Sequence, residues 1–442
     1  MNTLNLRNIL DDDNQIDYPI WHPYSNLTKN YFNQIILKRG EGTFVYDNDN
    51  RKYLDACSGL WNVSLGYGNE TINSYIEKQM KLMAYCSIFE HSNSTAIMAA
   101  NMIVEYLPSC MNKIQFTCSG SESVELSIKI MREYWKLTGK KEKEKIISFT
   151  KSYHGTCYGG MSVSGITKEQ TRNYAPYLLD TISFQVPDSS MNVEEGKLHE
   201  KTLEEYITMN ADSIAGIVVE PILASAGMER VDIKFIERLY RLCKENEILI
   251  TIDEVATGFY RTGKRFYFEN YCFVPDIVCM SKGINSGYVP FGAVGIQDFI
   301  VERYKKSNAI IAHGTTQAGN LLGCASTIGT LEEYKNLNIS VNVNKQGKYL
   351  KSSLIEGLKS HPNIKGVRGE GLLISIDLQE DTSGTIMRQE KIAYIQQELA
   401  INGILVYRSL VGLTLMPMLN IKKEESFIIA EKIISFFSND TF

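Results

Sequence analysis

From about residue 70 the chain alternates between helix-like and strand-like spacing of its apolar side chains. Short apolar runs at 113–118, 145–149, 216–220, 248–253, 276–280 and 292–296 predict strands buried on both faces. Between them, Val124, Ile128, Met131 and Trp135 recur on one face of 122–136, and Phe235, Ile236, Leu239 and Leu242 on one face of 232–246. Such alternation predicts an α/β fold: a mainly parallel sheet flanked by helices. Ahead of it, Phe44-Val-Tyr46 and Tyr53-Leu-Asp55 read as a hairpin, with its turn at Asp47-Asn-Asp-Asn50. Residues 1–35 are polar and aromatic and include Trp21-His22-Pro23-Tyr24. After about residue 340 come a helical pattern at 342–358, an apolar run at 372–377, a helix at 387–402, a run at 404–407 and a closing helix at 424–437. These predict a smaller α+β unit. No internal repeat and no flexible linker separates the parts.

Composition narrows the function class. At 442 residues the chain exceeds one small core, and 44% hydrophobic with 22% charged residues is ordinary for a globular protein. A net charge of −5 and a pI near 5.8 argue against nucleic-acid binding. The densest basic stretch, Lys136 to Lys145, is interleaved with Glu142 and Glu144 and is expected to be a solvated helix end or loop. Nine scattered Cys without a C-x-x-C predict free thiols and a reducing cytoplasm. The first residues lack the plan of a signal peptide, and no apolar stretch approaches the roughly 18 residues that span a bilayer. The His residues show no metal-ligand spacing, and no G-x-S-x-G occurs.

Two apolar runs end on charge. Ile248-Leu-Ile-Thr-Ile is followed by Asp253-Glu254, and Asp276-Ile-Val-Cys-Met-Ser by Lys282-Gly283. Ligands of open α/β sheets bind at the carboxyl ends of the strands. A carboxylate and an amine delivered to that edge fit pyridoxal phosphate: the amine condenses with the aldehyde, and the carboxylate keeps the ring nitrogen protonated. A surface lysine past a strand end and an N-cap acid are the plainer readings of each residue alone. The glycine-rich Val255-Ala-Thr-Gly258-Phe-Tyr-Arg-Thr-Gly263 reads as a loop and weakens the capping alternative. Ser119-Gly120-Ser121 closes a strand and opens a helix, which suits a phosphate or a ligand-free tight turn. Tyr153-His154-Gly155 suits a ring-stacking aromatic or a plain turn. His313-Gly-Thr315-Thr316 suits a hydroxyl donor to phosphate or a simple loop.

Taken in order, these phrases change the reading. Thr117-Cys-Ser-Gly-Ser-Glu122, Tyr153-His-Gly-Thr-Cys-Tyr-Gly-Gly-Met-Ser-Val-Ser164, Val219-Glu-Pro221, Ile252-Asp-Glu-Val-Ala-Thr-Gly-Phe-Tyr-Arg-Thr-Gly263, Pro275-Asp-Ile-Val-Cys-Met-Ser-Lys-Gly283 and His313-Gly-Thr-Thr316 occur in family order. The chain resembles the class III, fold type I, pyridoxal phosphate-dependent aminotransferases over nearly its whole length. The resemblance implies a large cofactor-binding domain at 70–335 with a mainly parallel seven-stranded sheet. It implies a small α+β domain built from 1–69 and 336–442.

The resemblance also implies roles. Lys282 is the Schiff-base lysine and Asp253 the partner of the pyridine nitrogen. Tyr153 stacks on the ring, and Ser119, Gly120 and Ser121 form the phosphate cup. His154, Glu220, Val255, Thr315 and Thr316 line the cofactor, with Thr316 reaching the neighbouring subunit of a homodimer. Tyr24, Trp61 and Arg408 border the substrate, Arg408 as a mobile receiver of a carboxylate. Small-molecule amine donors and keto acceptors are the implied partners, in ping-pong order. Ser281-Lys-Gly-Ile-Asn-Ser-Gly-Tyr-Val-Pro290 is similar to the ω-amino acid:pyruvate branch. Ile20-Trp-His-Pro-Tyr-Ser25 and Val124 are similar to the diaminopelargonate branch of biotin synthesis. Aminomutases and racemases of the same family keep the same lysine and aspartate. The departures are Val124, Tyr260 and Pro417-Met418, which bear on the substrate pocket rather than on the core chemistry.

Overall fold

The computed structural model describes residues 20–25, 35–177, 180–187, 191–382 and 384–439. Its central feature is a seven-stranded sheet in the order Lys113–Thr117, Gly292–Ile296, Ile277–Met280, Leu249–Asp253, Ile214–Val219, Lys145–Phe149, Thr181–Phe184. Gly292–Ile296 runs antiparallel to both neighbours, and the other adjacent pairs are parallel. The α/β reading therefore holds. The edge strand Thr181–Phe184 was not among the expected strands. At four residues, all half-buried, it is too short and too polar to register as an apolar run.

Burial explains why these segments are strands and helices. Every residue of Ile214–Val219, Leu249–Asp253 and Ile277–Met280 is buried, as continuous apolar runs between two helical layers require. The helix Gly120–Leu137 packs Leu126, Ile130 and Met131 onto the sheet residues Ala215, Val218, Leu249 and Cys279. Full burial of each such large side chain contributes about 1.5–3 kcal/mol. On the opposite side, the helix Ile233–Glu245 buries Phe235, Ile236, Leu239 and Cys243. Asp232 caps that helix through the Phe235 amide at 2.8 Å.

Two smaller sheets lie outside the large one. In the first, Leu37–Glu41, Phe44–Asp47 and Lys52–Asp55 form an antiparallel meander, and Ile404–Leu405 adds in parallel with Ile404 opposite Leu54. The second joins Ile364–Glu370, Leu373–Leu378, Gly412–Leu415 and Tyr407–Arg408. The run at 404–407 is thus split between two sheets. The hairpin turn is held by Asp47, whose Oδ1 accepts from the Asp49 and Arg51 amides, each at 2.9 Å.

The basic stretch 136–145 departs from expectation at Lys143. Its side chain is buried, and its amine donates to the carbonyls of Ala211, Ile214 and Asn246. Charge alternation could not signal this, because the acceptors come from distant backbone. All nine cysteines are unpaired. Among the described residues no helix is long and apolar enough to cross a membrane.

Candidate active site

Parallel strands send their carboxyl ends to one edge. Thr117, Phe149, Val219, Asp253 and Met280 are the last residues of five strands, and the residues after them converge there.

Asp253 is buried at its strand end. Its Oδ1 accepts from the Val255 amide at 3.0 Å, and its Oδ2 lies 2.8 Å from His154 Nδ1. The Nε2 of His154 is buried without a hydrogen-bond partner. The next strand over supplies Glu220, whose Oε2 accepts from the Tyr153 amide at 2.7 Å. Burial pushes the Glu220 carboxyl up to about 7; nearby His154 opposes the shift and Asp253 adds to it. Burial likewise raises the Tyr153 phenol, with Tyr24 beside it as the next cause.

Lys282 stands one strand from Asp253. Its backbone adopts φ +40°, a left-handed conformation that costs a side chain on the order of 1–3 kcal/mol and tends to persist at functional sites. Two hydrogen bonds hold the turn: Tyr334 donates to the Gly283 carbonyl, and Ser281 Oγ donates to the Phe291 carbonyl, both at 2.7 Å. Burial lowers the Lys282 amine to about 8, against the pull of Asp253 and Glu220 and with the help of Arg261. The amine sits 4.7 Å from the centre of the Trp61 ring. Trp61 itself has φ +67° and closes a turn whose Cys57 and Gly59 amides donate to Asp55. Its ring meets Tyr407 edge-on at 5.2 Å.

The turn at Ser119-Gly120-Ser121 is built as a cradle. Ser119 caps the helix Gly120–Leu137, its Oγ accepting from the Glu122 amide at 3.2 Å. A Cβ on Gly120 would lie 2.7 Å from Val255 Cγ1, and one on Gly155 would lie 2.2 Å from Ser121 Oγ. Only glycine lets these backbones approach so closely. An amine of depressed basicity, a carboxylate at the end of the adjacent strand, a helix start and glycine-lined backbone fit an aldehyde that carries a phosphate.

The expected residues do not all meet. Ser119, Gly120, Ser121, Tyr153, His154, Glu220, Asp253, Val255 and Lys282 share the sheet edge. Trp61 lies against the Lys282 amine with Tyr407 behind it, and exposed Tyr24 lies beside Tyr153 and Tyr407. Arg408 pairs backbone to backbone with Leu413 on the outer strand. Thr315 touches the turn only through Cys118, at 3.1 Å between Oγ1 and Sγ, while the Thr316 carbonyl accepts from Tyr85. A cavity beside them is lined by Cys118, Val289, Pro290, Thr315, Thr316, Gln317 and Asn320.

The departures at Val124 and Met418 prove to be internal, and that at Tyr260 is half-buried. Val124 and Met418 are fully buried, and Tyr260 (φ +69°) packs between Tyr106 and Tyr334, behind the Lys282 turn. Arg261, within the glycine-rich loop after Asp253, supports the site from behind. It is buried, donates from Nη1 to the carbonyls of Leu372 and Pro417, and has its basicity lowered by burial to about 10. A charge flanked by Phe259, Tyr260 and two glycines was the available signal. Glu254, fully buried, accepts from Thr257 and the Phe268 amide and so pins the loop after Asp253.

Known proteins share this sequence pattern and fold. Residues 25–437 match the model of the aminotransferase class-III family. An adenosylmethionine-8-amino-7-oxononanoate aminotransferase of Staphylococcus aureus is 30% identical over 420 residues, covering 92% of each chain. A crystal structure of an (S)-enantioselective omega-transaminase from Thermomicrobium roseum superposes with a TM-score of 0.89 at 31% identity, covering 95% of this chain and 96% of that one. An amine transaminase from an uncultivated Pseudomonas species, in its PLP-bound form, gives a TM-score of 0.90 at 26% identity over 96% and 99% of the two chains. The chain belongs to the class III aminotransferases, enzymes that work with pyridoxal phosphate.

Proposed function

We propose that the protein passes an amino group from an amine or ω-amino acid to a keto acid or other keto compound, in two half-reactions at one site. Pyridoxal phosphate supplies the electron sink when bound. The chain supplies charge and geometry. In this reading Lys282 Nζ anchors the cofactor and then moves the substrate proton, a task its lowered basicity suits. Asp253 keeps the ring nitrogen protonated, His154 and the Val255 amide hold Asp253, and Tyr153 covers the ring. Residues 70–335 would form the cofactor domain, with 1–69 and 336–442 the smaller one.

The observation that carries the substrate reading is Arg408. It neighbours Tyr407 in the aromatic wall and makes no ion pair or side-chain hydrogen bond among the described residues. An uncommitted guanidinium can take a carboxylate bidentately and withdraw when the substrate has none. Purified holoenzyme should aminate pyruvate or 2-oxoglutarate with a donor that lacks an α-carboxylate. Turnover of α-amino acids alone, with no keto acid aminated, would point to an isomerase.

The Staphylococcus aureus relative favours a second reading, transfer to 8-amino-7-oxononanoate. The Trp21 indole donates to the Ser25 carbonyl at 2.9 Å, so Trp21-His22-Pro23-Tyr24 forms a tight turn that brings Tyr24 to Tyr153. Assay with that acceptor separates the two readings. We also place the protein in a reducing cytoplasm as a homodimer in which Thr316 serves the neighbouring cofactor. Exposed Leu82, Met83, Tyr85 and Phe89 support the dimer, since Tyr85 and Phe89 border the Thr316 loop. Light scattering at the dimer mass is the expected result.

A further inference from the structure

A polar chain runs beside the phosphate-binding turn, and transamination does not use it. The Lys129 amine lies 3.0 Å from His313 Nδ1. His313 Nε2 lies 3.3 Å from Glu122 Oε1. The other oxygen of Glu122 accepts from the Cys118 amide at 2.8 Å. Gln115 Nε2 donates to the His313 carbonyl at 2.8 Å, so the residue is held by backbone as well. His313 Nε2 and Glu122 Oε1 are both buried; their 3.3 Å approach is a close contact rather than an aligned hydrogen bond, and neither atom has a hydrogen-bond partner among the described residues.

The donors fix the direction of the chain. A lysine amine only donates, so His313 Nδ1 accepts and the ring proton sits on Nε2, facing Glu122. Burial, then the Lys129 charge, holds His313 below its ordinary basicity, which suits this neutral tautomer. The arrangement matters because Glu122 is a carboxylate in the first turn of the helix that opens at Gly120. Left unheld, it would turn toward the same helix-start amides that a phosphate needs, and it would repel a dianion placed there.

We propose that His313 is a positioning residue for phosphate binding: it holds the Glu122 carboxylate aside and locks the Thr315–Thr316 loop and the phosphate-binding turn into one rigid piece. The inference rests on the cofactor reading, and the test separates the two. Cofactor-free protein is titrated with pyridoxal phosphate and, separately, with pyridoxal, which lacks the phosphate. Failure of the wild-type protein to bind either compound would overturn the cofactor reading itself.

For His313→Ala the expected result is a Kd for pyridoxal phosphate raised about tenfold, with that for pyridoxal changed less than about twofold. Adding Glu122→Gln should restore most of the loss, because the freed charge is gone. A purely structural role would weaken both compounds alike. That outcome, an unchanged pyridoxal phosphate Kd, or no rescue by Glu122→Gln would overturn the proposal. Should His313→Ala fail to fold, Lys129→Met interrupts the same chain from an exposed position, and the same phosphate-selective loss is expected.

Discussion

His154 Nδ1 lies 2.8 Å from Asp253 Oδ2, with both side chains buried at the edge of the sheet. The imidazole therefore orients the carboxylate through one oxygen, while the Val255 amide holds the other at 3.0 Å. A hydrogen bond to a charged group is worth about 1.5–3 kcal/mol, and about 1.4 kcal/mol is tenfold in rate. We predict that His154→Asn lowers kcat about tenfold to a hundredfold with little change in KM for the amine donor. Steady-state kinetics on folded protein checks this, and unchanged kcat contradicts it.

The lowered basicity of Lys282 gives a pH prediction. Its ordinary value is 10.5 and its folded value about 8. Between these values the unfolded chain holds the proton and the folded chain does not, so this group makes stability rise with pH across the window. The same shift frees the amine for attack. The rate at which cofactor-free protein captures pyridoxal phosphate should rise with a midpoint near 8. A midpoint at about 10 or above would mean an unperturbed amine.

Gly155 is a steric prediction. It sits at φ +99°, and a Cβ there would lie 2.2 Å from Ser121 Oγ. Gly155→Ala should destabilise the protein by on the order of 1–3 kcal/mol through backbone strain and should weaken cofactor retention as well. Thermal unfolding and dialysis against buffer measure the two effects. A variant with wild-type melting and full retention would show that the close approach is unimportant.

Arg408 separates the two half-reactions. With no side-chain hydrogen bond or ion pair among the described residues, its truncation should cost little structurally. Arg408→Ala is predicted to slow the half-reaction with the keto acid about tenfold to a hundredfold and to leave the half-reaction with a carboxylate-free amine nearly unchanged. Stopped-flow traces of each half resolve this. Equal slowing of both would assign the arginine to structure.

Much of the site was legible because its residues close apolar strands. Asp253 and Lys282 each follow a run buried on both faces, and parallel pairing then forces them to one edge. The edge strand Thr181–Phe184 escaped notice because half-buried strands carry Thr and Ser as readily as loops do. Lys143 misled because its stabilising carbonyls are distant in sequence. Tyr260 suggested an altered pocket, yet its ring fills the space behind the Lys282 turn, which a single residue change cannot announce. The role of Arg261 depends on Leu372 and Pro417, more than a hundred residues away.

The most direct test of the account is covalent. Holoenzyme treated with borohydride and then digested should yield one peptide carrying the mass of the reduced cofactor, and that peptide should contain Lys282. A label on another lysine, or no label on a yellow protein, would contradict the assignment of the amine at the end of Ile277–Met280 as the cofactor's anchor.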